Sequence, residues 1–144
     1  MAKPQVPGRA DYRWFLPITT RWSDNDVYRH VNNVVYYSYF DTVANSYLIE
    51  AGGLSIHDSD IVGLVVNSSC NYYAPIEFPQ ALEGGLRIDR LGNSSVQYGI
   101  AIFVKGEELA CASGTFTHVF VDRASSRPVS IPEKMRNALE AIEA

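Results

Sequence analysis

Between Arg21 and Phe40 the chain reads RWSDNDVYRHVNNVVYYSYF, in which Asp24, Asp26, His30, Asn32 and Asn33 come just before an aromatic-rich run. Carboxylates and histidines are the side chains that most readily exchange protons near neutral pH. Beside the start of a helix they would share space with unpaired backbone N–H groups and the positive end of the helix dipole, where a developing oxyanion is stabilised. The pattern therefore describes an acid/base site on a loop. It also describes two surface aspartates drawn to a helix N-terminus, with Asn32 and Asn33 acting as caps. Residue types alone leave both readings open.

The elements that must position these residues can be read on either side of them. Asn32 or Asn33 is a suitable N-cap, because a short side-chain oxygen can accept an orphan N–H of the first turn. Tyr36, Phe40, Val43 and Tyr47 then recur on one helical face, and Gly52-Gly53 ends the helix. Upstream, Trp14, Leu16, Ile18, Thr20 and Trp22 alternate with Phe15, Pro17, Thr19 and Arg21, which predicts a strand feeding the loop, with Pro17 suited to a sheet edge. Asp24, Asp26 and His30 thus fall on a strand-to-helix connection.

Downstream, the run from Ile61 to Tyr73 predicts a strand. Leu86 and Ile88 alternate with Arg87 and Asp89, and Val96, Tyr98, Ile100 and Ile102 alternate with Gln97, Gly99 and Ala101. Gly92-Asn93-Ser94 marks a hairpin between those two strands, and Lys105-Gly106-Glu107 marks another before the segment Leu109 to Asp122. Ser130-Ile131-Pro132-Glu133 has the spacing of a capping box and predicts a short final helix burying Met135, Leu139 and Ile142. One strand, one long helix, a four-strand antiparallel meander and a short helix make an α+β layout in which a five-strand sheet wraps the helix. Such a sheet leaves an open edge, which invites pairing with a second copy of the chain.

With 144 residues, 47% of them hydrophobic, residues 1–144 are expected to form a single domain with a real core, and residues 1–10 are expected to lack order. A formal charge of −4 argues against a nucleic-acid binder. Cys70 and Cys111 lack metal-ligand spacing and fit buried free thiols in a reducing compartment. No segment has the length and apolarity of a membrane span, and the N-terminus lacks a signal-peptide core, so the cytoplasm is the expected location.

The run TRWSDNDVYRHVNN followed by VVYYSYFDT resembles the acyl-CoA thioesterases of the hotdog fold, the group typified by 4-hydroxybenzoyl-CoA thioesterase. Similarity extends through CNYYAPIEFP, RLGNSSVQY and ASGTFTHVFVDRASSRPVSIP, so it covers nearly the whole chain. The resemblance implies that Asp26, the second aspartate of a D-x-D element, is the catalytic carboxylate. It also implies that the backbone N–H of Asn33 polarises the thioester carbonyl, with Asp24, His30 and Asn32 in support. No metal and no cofactor are implied. The expected substrate is an acyl-CoA or an acyl carrier protein thioester, and the expected assembly is a homodimer or homotetramer with active sites at the subunit interface. Two departures stand out. Relatives commonly carry glycine where this chain has Arg29, and the hairpin that in relatives offers basic residues to coenzyme A reads Leu91-Gly92-Asn93-Ser94-Ser95, with only Arg90 close by.

Other polar residues have two readings each. His118, on the Phe116 and Phe120 face of the last strand, is either a hydrogen-bonded core histidine or part of an acyl pocket. His30 either donates to Asp26 or anchors the loop. Ser68, Ser69, Asn71 and Tyr72 could reach the helix start, but alternation turns only some of them inward. Tyr36, Ser69, Arg90 and His118 are therefore candidate substrate contacts. A short- to medium-chain or aromatic acyl group is expected. The competing functions are a hotdog hydratase or dehydratase, whose Asp-x-Asn-x-x-His sequence does not occur here, and a non-catalytic acyl-thioester binding module.

Overall fold

The computed structural model describes residues 5–55 and 57–144. In chain order the elements are β1 (Trp14–Thr19), α1 (Asn33–Glu50), β2 (Ile61–Tyr72), β3 (Ala81–Leu91), β4 (Ser95–Val104), β5 (Ala112–Asp122) and α2 (Glu133–Glu140). All strand pairs are antiparallel, and the sheet runs β1-β3-β4-β5-β2. This is the hotdog fold. The sheet wraps α1, and Pro17 lies on an edge strand, where its missing N–H is not needed.

The order differs from a four-strand meander. Only β3, β4 and β5 follow one another; β2 pairs with β5, and β3 with β1. The connection over 73–80 explains it. It contains Pro75 and Pro79, lacks a tight-turn signal, and carries the chain across the helix start instead of folding it back on β2. The α2 start also differs from expectation. Pro132 is the N-cap residue and no side chain caps the helix, because the Ser130 hydroxyl donates instead to Asn93 Oδ1 (3.2 Å) in the β3–β4 hairpin.

Tyr36, Phe40, Val43 and Tyr47 are buried as their spacing requires, together with Tyr39, Ala44 and Leu48. They pack on Leu86, Ile88, Ile100, Ile102, Phe116 and Phe120. Each large apolar side chain taken from water contributes roughly 1.5–3 kcal/mol, so this face holds α1 in place. Gly84 lets the helix come close: a Cβ there would lie 2.3 Å from Val43 Cγ2. Of residues 1–10, the first four lie outside the described residues. The others are docked, with Gly8 bridging Leu109 and Arg9 paired to Glu83 at 2.9 Å. Cys70 and Cys111 are free thiols, and burial raises the pKa of both.

Candidate active site

After β1 the chain makes a short 3-10 turn over Trp22–Asp24 and then enters the loop that leads to α1. Asp24 is fully buried. Its Oδ2 accepts the Arg21 N–H (2.9 Å) and the Tyr39 hydroxyl (2.8 Å), and its Oδ1 accepts the Arg21 guanidinium (2.9 Å). Burial alone would raise the pKa of this carboxyl, but these hydrogen bonds and the guanidinium charge outweigh it and hold the pKa below the ordinary value. The Asp24 carbonyl also accepts the Asn32 N–H at 2.8 Å. Asp24 therefore clamps β1, the loop and the helix start together.

Asp26 opens a tight turn. Its N–H donates to the His30 carbonyl (2.9 Å), and its own carbonyl accepts the Arg29 N–H (3.0 Å). Its Oδ1 accepts the Tyr28 N–H at 2.8 Å, while Oδ2 accepts no hydrogen bond among the described residues. Arg29 occupies the left-handed position that closes such a three-residue loop, with φ at +67°. Glycine adopts that conformation freely, whereas a residue with a Cβ does so at a cost of about 1–2 kcal/mol.

The loop then delivers Asn32 as the N-cap of α1. Its Oδ1 accepts the Val34 N–H at 3.2 Å, and Asn33 is the first helical residue. The Asn33 N–H makes no hydrogen bond among the described residues and is one of the orphan donors every helix start presents. The Asn33 carbonyl accepts the Tyr72 hydroxyl from β2 at 3.2 Å.

Two clefts flank this loop, each lined by different residues of the loop and of the 73–80 connection. The larger, about 600 Å³, has Asp26, Asn25, Arg29 and Glu77 beside Trp22 and Phe78. The second, about 320 Å³, contains His30, Asn33, Tyr36 and Tyr72. A hydrogen bond from the Val31 N–H to the Ile76 carbonyl (2.7 Å) ties the two segments together. The structure thus gathers Asp26, His30, Asn32, Asn33 and Tyr36 around one loop, with Asp24 buried beneath it. Within a single chain, Asp26 and the Asn33 N–H belong to neighbouring clefts.

The remaining candidates lie elsewhere. The Ser69 hydroxyl is hydrogen-bonded to that of Thr115 (2.8 Å), on the sheet face away from α1. Alternation along β2 turns Ser69 and Asn71 outward and Tyr72 toward the helix start. Arg90 is exposed at the irregularity of β3. His118 is 1% exposed in the core, with Nδ1 3.0 Å from the Tyr98 hydroxyl and its ring among Phe116 and Phe120. The His30 backbone carbonyl, not its ring, meets Asp26. Glu77 and Phe78 carry no local signal of a site, because long-range hydrogen bonds, from the Val31 N–H to the Ile76 carbonyl and from the Phe78 N–H to Asn25 Oδ1 (3.1 Å), bring them to the cleft. Among the described residues no group of three or more His, Cys, Asp or Glu could hold a metal ion, and no helix is long and apolar enough to cross a membrane.

Comparison with known proteins places this geometry among relatives. Residues 20–139 match the thioesterase-like superfamily. The chain is 58% identical to the PA5185 protein of Pseudomonas aeruginosa strain PAO1, with a TM-score of 0.96 over 97% of this chain and 98% of that one. YsmA of Bacillus subtilis (strain 168) is 24% identical over 134 residues, which are 91% of this chain and 88% of that protein. A 1,4-dihydroxy-2-naphthoyl-CoA thioesterase from Synechocystis, 16% identical, shares the fold with a TM-score of 0.78 over 87% of this chain and 93% of that one.

Proposed function

The chain belongs to the thioesterase-like superfamily, and we infer that it hydrolyses acyl thioesters of coenzyme A or acyl carrier protein, with Asp26 as the catalytic carboxylate. The observation that carries this reading is the Asp26 turn. It holds a carboxylate by one oxygen at a cleft of about 600 Å³, seven residues before Asn33, the first residue of the helix, whose N–H is unpaired among the described residues.

In the reaction, water adds across the acyl C–S bond, which breaks to give a carboxylate and a thiol. Asp26 either takes a proton from the attacking water or attacks the carbonyl itself, forming a mixed anhydride that water then opens. Oxyanion charge on the carbonyl is stabilised by the Asn33 N–H and the α1 dipole; loss of one such donor typically costs about 10²–10³ in rate. Asp24 positions the loop through Arg21 and Tyr39 and touches no reacting atom. Trp22 and Phe78, edge to face at 5.9 Å, give the cleft an apolar wall suited to a short- to medium-chain or aromatic acyl group.

The same reading includes a homodimer. β2 is one of the two edges of the sheet, and its Leu64, Val65 and Val66 are 46%, 47% and 58% exposed. Covering that edge with a second copy would remove both unpaired backbone groups and exposed apolar surface from water. Tyr72 on the same strand touches the start of α1, so pairing there would bring the partner close to the Asn33 cleft.

A panel of acyl-CoAs with a thiol-release readout tests the activity. Release of free thiol with matching carboxylate is the expected result. Tight binding of one member without turnover of any would replace the hydrolase with a binding module, and a hydrated product with its thioester intact would replace it with a hydratase.

A further inference from the structure

Arg29 is the one cation among the residues lining the Asp26 cleft, which also holds the carboxylates of Asp26 and Glu77. Its guanidinium makes no ion pair or hydrogen bond among the described residues, and the side chain is exposed. Arg21, on the same loop, has work in the fold through its pairing with Asp24. Arg29 also stands at φ +67°, where a side chain is strained and glycine would be free. Strained positions cluster at ligand-binding sites, and no contact within the fold accounts for an arginine side chain here.

We propose that Arg29 is a specificity-determining residue that binds an anionic oxygen group of the substrate at the Asp26 cleft. The argument rests on the thioester reading of that cleft. Without Arg29, Asp26 and Glu77 would present two negative charges to any ligand and repel an anionic one. The guanidinium supplies the opposite charge and a planar fork of donors that fits a carboxylate or phosphate with two parallel hydrogen bonds. Arg29 sits at the end of the turn that Asp26 opens and lines the same cleft, so its guanidinium meets ligands that enter the cleft from solvent. A carboxylate on the acyl portion is one source of such a group, and a phosphate of the carrier is the other.

Binding of non-hydrolysable thioethers, followed by calorimetry, separates these sources without depending on turnover. Four ligands suffice: a propyl and a 3-carboxypropyl thioether, each on coenzyme A and each on N-acetylcysteamine, which lacks phosphates. Wild type is compared with Arg29→Gly and Arg29→Lys. The glycine variant fits the turn, so its melting temperature is expected to equal or exceed that of wild type, and a thermal scan checks this. With an acyl carboxylate as the anion, Arg29→Gly weakens both carboxypropyl ligands by about tenfold to a hundredfold and spares the propyl ligands, while Arg29→Lys recovers part of the loss. With a carrier phosphate as the anion, it weakens both coenzyme A ligands and spares both N-acetylcysteamine ligands. Unchanged affinity for all four, or an equal loss for all four, overturns the proposal. Thiol release by wild type from propionyl-CoA is scored separately, so absence of hydrolysis would defeat the enzymatic reading without being confused with the role of Arg29.

Discussion

His118 gives the core a pH dependence whose size follows from its burial. Its imidazole is 1% exposed, faces the Tyr98 hydroxyl at 3.0 Å and otherwise meets aromatic rings, and desolvation pushes its pKa down to about 4. In an unfolded chain a histidine titrates near 6.5. Between those values the unfolded state binds a proton that the folded state refuses, so stability falls as pH drops through this window. The gap corresponds to about 3 kcal/mol, fully lost once the pH is below the folded value. Asp24 acts in a different range. Its pKa is held below the ordinary carboxylate value, so its contribution is present above about pH 4 and lost only below it. Urea unfolding at fixed protein concentration, at about pH 7.5 and about pH 4.5, would be compared between wild type and the His118→Phe/Tyr98→Phe double variant, which replaces both polar partners with apolar rings of similar shape. Wild type should lose about 2–3 kcal/mol more than the double variant across that interval. Equal losses in the two proteins would refute the assignment of this pH dependence to a buried neutral histidine.

Three further outcomes follow from particular contacts. Asp24→Asn leaves the Arg21 guanidinium without its carboxylate and should cost about 2–3 kcal/mol of stability, read by denaturant midpoint, with kcat near wild type below the unfolding temperature; a large loss of kcat in folded protein would move Asp24 from positioning to chemistry. Gly114→Ala would put a Cβ 1.8 Å from the Ser69 carbonyl oxygen, which belongs to a backbone that cannot turn aside, so β2 should part from β5 and stability should fall by about 3 kcal/mol or more. Val66→Lys, at a position 58% exposed on the β2 edge, should leave the fold intact, convert dimer to monomer in light scattering and abolish thiol release; a fully active monomer would contradict the shared-site arrangement.

Much of this architecture is legible in the sequence because it is written in local chemistry. The helix periodicity, a cap at Asn32 or Asn33, the Gly92-Asn93-Ser94 hairpin and the Pro17 edge each depend on residues within a few positions of one another. The strand order does not. No local pattern shows that the 73–80 connection crosses the helix start, so the β2–β5 pairing and the cleft positions of Glu77 and Phe78 emerge only from the folded chain. Alternation does separate Ser69 from Tyr72, three residues apart on β2 and on opposite sides of the sheet, but which of the two faces packs on α1 is set by the fold. The Ser130 capping box fails for a related reason, since a long-range hydrogen bond to Asn93 takes the hydroxyl that the local spacing reserved for the helix. At Arg29 the sequence already marked an oddity, and its φ of +67° turns that oddity into a defined strain.

The central claim is that the Asp26 carboxylate performs the chemistry, and an Asp26→Asn comparison tests it most directly. Asparagine keeps an oxygen able to accept the Tyr28 N–H, so the turn should survive while the base or nucleophile is lost. With the acyl-CoA that wild type hydrolyses best, kcat/KM for thiol release should fall by about 10²–10⁴-fold, with melting temperature and oligomeric state unchanged. A value within tenfold of wild type, in a protein shown to be equally folded, would contradict the account.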